Sequence, residues 1–155
     1  MKRLIQFKTT TPLLLIPLLL ACFALSQTAQ AVVPAPDGGY PGGNTAGGTS
    51  ALFSLTSGID NTALGFQALF KNTTGNYNTA EGFRALFSNT TGFQNTATGV
   101  QALFNNTSGT FNTAIGVQAL YSNTTGGGNA ANGYRALYSN TTGGGNTANG
   151  YAAPR

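Results

Sequence analysis

The apolar and polar positions of this chain recur with a 17-residue period over most of its length. The period is marked by one Asn that returns without a slip. Its positions are Asn44, Asn61, Asn78, Asn95, Asn112, Asn129 and Asn146. We number each copy from this Asn as slots 1 to 17, so that the copy at 61–77 reads NTALGFQALFKNTTGNY. Slots 3 and 8 are Ala and slot 5 is Gly in every copy, while slot 9 is Leu in the six complete copies.

A single copy is too short to bury a core alone, so each copy must stack on its neighbours. The pattern therefore predicts an all-β fold, a parallel β-solenoid (β-roll) of about seven coils, with successive coils ~4.8 Å apart. Identical slots then lie above one another, which predicts an Asn ladder at slot 1 and an aromatic ladder at slot 10. The aromatic residues are Phe53, Phe70, Phe87, Phe104, Tyr121 and Tyr138.

Other slots are assigned by residue type. Slots 4 and 7 carry mainly polar or mixed residues and are predicted to face solvent. Glycine recurs at slots 5 and 15, where a fixed register indicates a backbone corner with positive φ or a close approach of two segments. The regular register also favours an ordered array over the disordered chain that a Gly/Asn/Thr-rich composition otherwise indicates.

A helical repeat is the rival fold. Slots 3, 6, 9 and 10 also fit one face of a short helix whose N-cap is the slot 1 Asn. Glycine at slot 5 argues against it, since Gly in a helix costs about 1 kcal/mol relative to Ala. The remaining alternative is a solenoid with a single helical turn at slots 6 to 10 of each repeat.

Slots 8, 9 and 10 are consecutive and apolar, whereas a strand with one wet face alternates. Two arrangements account for this run. Either slot 10 faces a partner chain, which predicts a homo-oligomer, or a corner tucks all three side chains inward.

The segment 1–31 has the layout of a secretory signal. A basic start precedes an apolar stretch from Pro12 to Leu25 and a small-x-small site that ends at Ala31. The stretch is shorter than the ~20 residues of a spanning helix, so we predict a cleaved leader and no membrane span in the mature chain. Lipidation at Cys22 is the alternative processing route.

Three segments follow from these patterns. Residues 1–31 form the signal peptide, 32–43 a Pro/Gly-rich linker and 44–155 the repeat array. The copies, numbered 1 to 7, are 44–60, 61–77, 78–94, 95–111, 112–128, 129–145 and the partial 146–155. Copy 1 departs most from the others, with Leu55 in place of the slot 12 Asn, as suits a terminal capping coil.

Charge and chemistry narrow the function further. Beyond the leader the chain keeps four basic and three acidic residues, a net charge of +1, so no basic cluster indicates nucleic-acid binding. The chain has no His, and its only Cys is Cys22 in the leader. Zinc sites and imidazole triads are therefore excluded, and Asp60 and Glu81 occupy different slots. We predict no enzyme, no catalytic, cofactor-binding or metal residues, and no cofactor.

The Asn-Thr-Ala-x-Gly core, as in residues 61–65 and 112–116, resembles the short head repeat of YadA-like trimeric autotransporter adhesins. The resemblance implies a left-handed parallel β-roll, three chains packed side by side, and a head that binds host or matrix surfaces at the outer membrane. The 17-residue period of this chain is longer than the usual repeat of that family.

The predicted function is an exported surface or extracellular module with a structural or adhesive role, binding a surface, matrix or glycan ligand. Two alternatives stay open. One is an ice-binding protein that uses rows of Thr, as in the pairs at 73–74, 90–91, 124–125 and 141–142. The other is a passive spacer from a larger adhesin.

Overall fold

A computed structural model of the chain describes residues 39–154. The predicted leader, with Ala31 and Cys22, lies outside the described residues, as do residues 32–38 of the predicted linker and Arg155. Eight short strands form one sheet in sequence order. They are β1 Gly39–Tyr40, β2 Asn44–Gly47, β3 Thr62–Leu64, β4 Thr79–Glu81, β5 Thr96–Thr98, β6 Thr113–Ile115, β7 Ala130–Asn132 and β8 Thr147–Asn149.

The strands β2 to β8 are parallel and each pairs with the next at the 17-residue register. Ala63, for example, lies opposite Ala80, and Ala97 opposite Ala114. Each copy therefore makes one coil, and the predicted β-solenoid of 17-residue coils is confirmed. The described residues contain no helix, so both the helical repeat and the helical turn at slots 6 to 10 are wrong for this part of the chain.

Hydrogen-bonded turns occupy the place of that helical turn. In coil 2 the backbone N of Ala68 donates to Gly65 O at 3.3 Å, and Asn72 N donates to Leu69 O at 3.1 Å. Gln67 lies within the first turn and Leu69 begins the second, and their φ angles are positive, 55° and 50°. L-residues seldom adopt this left-handed conformation. The fold retains it because it aims the Leu inward, where its side chain is fully buried.

The core is a narrow stack of small residues and one larger one per coil. Slots 3 and 8 contribute Ala and slot 9 contributes Leu, and Ala97, Ala102 and Leu103 of coil 4 are all 0 % exposed. Slot 10 is partly exposed in coils 2 to 6. The run at slots 8 to 10 thus turns a corner that buries two side chains and leaves the aromatic one at the surface.

The two recurrent glycines are retained for different reasons, both of which the sequence had predicted. Gly65, at slot 5, has a φ of +132°, and a Cβ there would lie 2.5 Å from the carbonyl oxygen of Gly82. Gly75, at slot 15, needs no positive φ, but a Cβ there would overlap Gly92 O and Asn72 Oδ1. Slot 5 is therefore a left-handed corner, and slot 15 is a close approach between coils.

The N-terminal end of the array is capped. Strand β1 pairs with β2 in the antiparallel direction, and Tyr40 packs against the core. The side chain of Asn44 donates to Pro41 O at 2.6 Å and to Gly58 O at 2.8 Å. Leu55 of coil 1 also packs against the core. The segment that covers coil 1 belongs to the predicted 32–43 linker. At the other end, Asn140 Oδ1 is buried without a hydrogen bond among the described residues.

Candidate functional site

The slot 1 Asn ladder is confirmed and lies inside the coils. In coil 4 the backbone N and the Nδ2 of Asn95 both donate to Asn78 Oδ1 at 3.1 Å. Asn95 Nδ2 also donates to the slot 15 carbonyl of its own coil, Gly109 O, at 2.9 Å. The side chain is 0 % exposed, so this ladder holds coils together and is closed to a ligand.

A second Asn ladder runs along slot 12. Asn106 Nδ2 donates to Asn89 Oδ1 at 2.9 Å and to Gly109 O at 3.0 Å, so the Gly109 carbonyl accepts from both ladders. The sequence did not predict this ladder, because Asn-Thr-Thr-Gly also has the composition of a turn. The available signal was the unbroken register of the residues Asn72, Asn89, Asn106, Asn123 and Asn140.

The predicted slot 10 aromatic ladder is also confirmed. Five successive ring pairs from Phe53 to Tyr138 stack with centroids 5.1–5.2 Å apart and interplanar angles of 3–7°. Such parallel stacking covers the ring faces with neighbouring rings. The ladder therefore presents ring edges to the outside.

Slot 6 forms a second apolar row beside this ladder. In coils 2 to 6 its side chains are 38–44 % exposed; they are Phe66, Phe83, Val100, Val117 and Tyr134. Slot 7 lies between the two rows. The guanidinium of Arg84 is 5.2 Å from the Phe83 centroid and 5.4 Å from the Phe87 centroid, and Arg84 Nε donates to Gln67 Oε1 at 2.8 Å. We call slots 6 and 10 with the slot 7 side chains the aromatic flank.

A different apolar group lies at slots 16 and 17, where each coil turns toward its next strand. Ile59, Tyr77, Phe93 and Phe111 are 38–55 % exposed there. Successive coils are joined at this corner by bonds such as Tyr77 N to Ile59 O, 3.0 Å. We call these four residues, with the polar neighbours Asp60, Asn76, Gln94 and Thr110, the corner patch.

The slot 13 hydroxyls are used within the solenoid. Thr73 Oγ1 donates to Thr90 O at 3.0 Å, and the same bond recurs from coils 1, 3, 4 and 5. In coils 1 to 5 the slot 13 hydroxyl therefore donates its proton to a backbone carbonyl of the next coil. The slot 14 partners, such as Thr74 and Thr91, are exposed.

Residues 39–154 offer few other kinds of site. No three His, Cys, Asp or Glu side chains gather there where they could hold a metal ion. The same residues include no helix with the length and apolar character to cross a membrane. A cavity of about 500 Å³ opens at the C-terminal end, between Arg135, Leu137 and Asn140 on one side and Ala153 and Pro154 on the other.

No protein-family model matches the chain, and neither the curated proteins nor the solved structures give a match. The resemblance to YadA-like head repeats stays a prediction from residues such as 61–65.

Proposed function

We propose that the chain is an exported, non-catalytic surface or extracellular repeat protein whose array is a structural and adhesive module. The aromatic flank is the observation that carries the proposal. It repeats an exposed apolar side chain in coil after coil, and contiguous exposed apolar surface is typical of interaction sites. A partner that lies along the array meets many weak contacts at once, which raises the overall affinity without any strong single contact.

The internal ladders support the structural half of the proposal. Two Asn columns and the slot 9 Leu column link each coil to the next, so the flank is displayed on a continuous scaffold. Such a scaffold fixes the spacing of the exposed groups and lowers the entropy lost when a partner binds.

We further propose that copies of the chain pack side by side through the slot 10 edge of this flank, as the trimer that the resemblance to YadA-like heads implies. Side-by-side packing buries the slot 10 ring edges that the single chain leaves partly exposed, and it leaves the slot 6 row open to an adhesive partner. Light scattering on the purified, exported protein tests this point. A mass of three chains is expected, and a clean monomer over a wide concentration range contradicts the oligomer.

The adhesive role is tested with beads that carry the protein, measured for retention under flow on cells, matrix proteins and glycans. We expect retention to fall by about tenfold or more when Phe66, Phe83 and Tyr134 are each replaced by Thr, since several apolar contacts are lost together. The three side chains are only 38–44 % exposed and stack on neighbouring rings, so some stability is lost, and retention is compared well below the thermal midpoint of each protein. Absence of retention by the unmodified protein leaves only the passive spacer.

The geometry does not favour the ice-binding alternative. An ice-binding face needs regular rows of free hydroxyls, and the slot 13 hydroxyls donate to backbone carbonyls of the next coil. Of the two rows that this alternative uses, only the exposed slot 14 row is left. Thermal hysteresis in a concentrated solution of the protein would revive that alternative.

A further inference from the structure

We propose that the corner patch binds an extended, neutral β-1,4-linked glycan, with about one sugar unit lying on each coil. This proposal rests on the adhesive role above and names a ligand class for one surface of the module. It concerns slots 16 and 17 of coils 1 to 4 and is independent of the aromatic flank.

The backbone at this corner is the first reason. Every slot 17 residue of the six complete coils has a φ between 53° and 70°. Coils 5 and 6 place Gly128 and Gly145 there, the residue type that this conformation favours. Coils 2 and 4 instead place Tyr77 and Phe111 there, 55 % exposed. Positive φ also recurs at slots 7 and 9 of every complete coil, so the conformation itself belongs to the coil. What needs a reason at slot 17 is a large, exposed ring where Gly would carry no strain.

Burial does not account for these two rings. Leu69 also has a positive φ, but its side chain is fully buried and supplies the core. Tyr77 and Phe111 leave more than half of their surface in water, so their contribution to the core is small. A ligand that covers the rings explains their presence at slot 17.

The order of side chains along the corner is the second reason. Each of coils 1 to 4 carries one apolar and one hydrogen-bonding residue at slots 16 and 17, and the order reverses from coil to coil. The pairs are Ile59–Asp60, Asn76–Tyr77, Phe93–Gln94 and Thr110–Phe111. Coils 5 and 6 carry Gly-Gly, so the alternation ends with coil 4.

This reversal matches the shape of one polymer class. Along a β-1,4-linked glycan in its extended form, successive pyranose rings are turned over, so the edge with the ring oxygen and the edge with the ring hydroxyls change sides from sugar to sugar, while C–H groups line both faces. The hydrogen-bonding residue of the corner patch changes sides between slots 16 and 17 in the same way. The corner patch repeats every two coils, about 9.6 Å, which is close to the disaccharide repeat of such a chain. Aromatic faces receive the C–H faces, and carboxylate and amide side chains bond the hydroxyls.

The aromatic rings of the corner patch have faces that a sugar can contact, unlike the stacked rings of slot 10. Phe93 and Phe111 meet at 77° with centroids 5.1 Å apart, so at least one ring keeps both faces clear of the other. Asn76 Oδ1 accepts from Ile59 N at 2.9 Å, which holds that amide in place beside Tyr77. Asp60 is the only ionisable acid in the patch and no basic residue accompanies it, so a neutral ligand is favoured over a polyanion.

The test is calorimetry on the purified, exported full chain with cellohexaose, xylohexaose, chitohexaose and maltohexaose. The first three share the extended β-1,4 linkage and distinguish plant-wall sources from chitin. Maltohexaose has the glucose units of cellohexaose in an α-linked, coiled chain. We expect at least one β-linked hexamer to bind about tenfold or more tightly than maltohexaose.

The decisive variant is the double replacement Tyr77→Gly with Phe111→Gly. It removes two rings and also the backbone strain, so binding falls by about tenfold or more while the thermal midpoint stays level or rises by roughly 2–8 °C. Tyr77→Phe keeps the ring and retains binding. Phe93→Asn, which places at slot 16 the residue that coil 2 carries there, weakens binding without touching a positive φ.

Leu64→Thr is the matched control. Leu64 is an exposed apolar residue at slot 4, outside both the patch and the flank, and coil 4 carries Thr98 at that slot. Its replacement leaves glycan binding unchanged. Equal binding by the Tyr77/Phe111 double variant and the unmodified chain overturns the proposal, as does the absence of binding to every β-linked hexamer.

The outcomes separate this proposal from the adhesive role itself. Bead retention that persists without any glycan binding overturns the glycan site and leaves the adhesive module standing. Loss of retention on a matrix protein in the double variant, with no oligosaccharide bound, makes the patch a protein contact and also overturns the glycan. Failure of both retention and glycan binding removes both proposals.

Discussion

The inside of the coils and the corner patch obey opposite rules. Inside, slot 12 is Asn in coils 2 to 6 and slot 15 is Gly in all six complete coils. At the corner, neighbouring coils never carry the same pair until the Gly-Gly of coils 5 and 6. Each interior slot therefore keeps the residue type that packs and bonds with its own copy in the next coil, whereas the residues of the corner are free of this constraint.

The contrast has a simple physical cause. A buried amide that both donates and accepts along the array is satisfied by another amide at the same slot, as Asn106 is by Asn89 and Asn123. One foreign residue leaves two neighbours with unmet hydrogen bonds. Exposed side chains such as Tyr77 and Phe93 have water as an alternative partner, so the stack tolerates variation there.

The largest effect is expected from Gly99→Ala in the middle of the array. Gly99 has a φ of +131°, and a Cβ there would lie 2.7 Å from the carbonyl carbon and oxygen of Gly116. Neither backbone segment can move without breaking the ladders beside it, so we expect a loss above about 4 kcal/mol and a chain that fails to fold cooperatively. Circular dichroism during heating measures it.

Thr98→Ala is the control for this change, because it alters the adjacent residue on the outer side of strand β5. We expect it to shift stability by no more than about 0.5 kcal/mol. A stable, cooperative Gly99→Ala protein would show that slot 5 is less constrained than the interior rule requires.

Much of this interior rule could be predicted from the sequence. A 17-residue period in a parallel stack forces identical slots above one another, which is why the period alone predicts the slot 1 Asn ladder and the slot 10 ring ladder. The slot 12 ladder was missed because Asn-Thr-Thr-Gly also suits a turn. Composition alone does not say whether an Asn such as Asn89 points inward.

The outer surface was harder to predict. Leu69 and Gln67 are residue types that rarely adopt positive φ, so nothing in their identity reveals the tight corners at slots 7 and 9. Those corners also decide that slot 6 faces out. The sequence did not predict the corner patch, because its apolar residues shift between slots 16 and 17, as Phe93 and Phe111 do, and so form no single column.

An intermediate loss of stability is expected when Asn is replaced by Leu in the slot 12 ladder, and the loss should differ between the middle of the ladder and its end. Asn106→Leu removes bonds to Asn89 and Gly109 and leaves Asn123 Nδ2 without one of its acceptors, at a cost of about 2–4 kcal/mol. Asn140→Leu also removes two donated bonds, to Asn123 Oδ1 and Gly143 O, but Asn140 Oδ1 accepts none among the described residues, so no neighbouring amide loses an acceptor and we expect a smaller loss. Coil 1 already carries Leu55 at slot 12, packed against the core, so a terminal coil accommodates leucine at this slot.

Urea unfolding of the two variants measures the difference between them. Equal losses for Asn106→Leu and Asn140→Leu would mean that the ladder adds nothing beyond the volume of its side chains. The difference between interior and end would then rest on packing, and the contrast between the interior and the corner patch would lose its hydrogen-bond explanation.

The smallest effect concerns the N-terminal cap, where one ionisable group touches the interior. Burial raises the pKa of the Tyr40 hydroxyl above its usual value of 10.0. The unfolded chain therefore releases this proton at a lower pH than the folded chain does. The stability of the cap is fully present below about pH 10 and declines as the pH rises through the folded-state pKa.

The variant Tyr40→Phe keeps the ring against the core and removes the titrating group. We expect a constant difference in thermal midpoint between the two proteins from pH 7 to about pH 9.5. Above about pH 10 the unmodified protein loses stability relative to the variant, because only its cap must accommodate a phenolate. Midpoints that run parallel up to pH 11 would show that the hydroxyl of Tyr40 reaches water freely. In that case the ring of Tyr40 covers the end of the core, and its hydroxyl, which is in water, adds nothing to the stability of the cap.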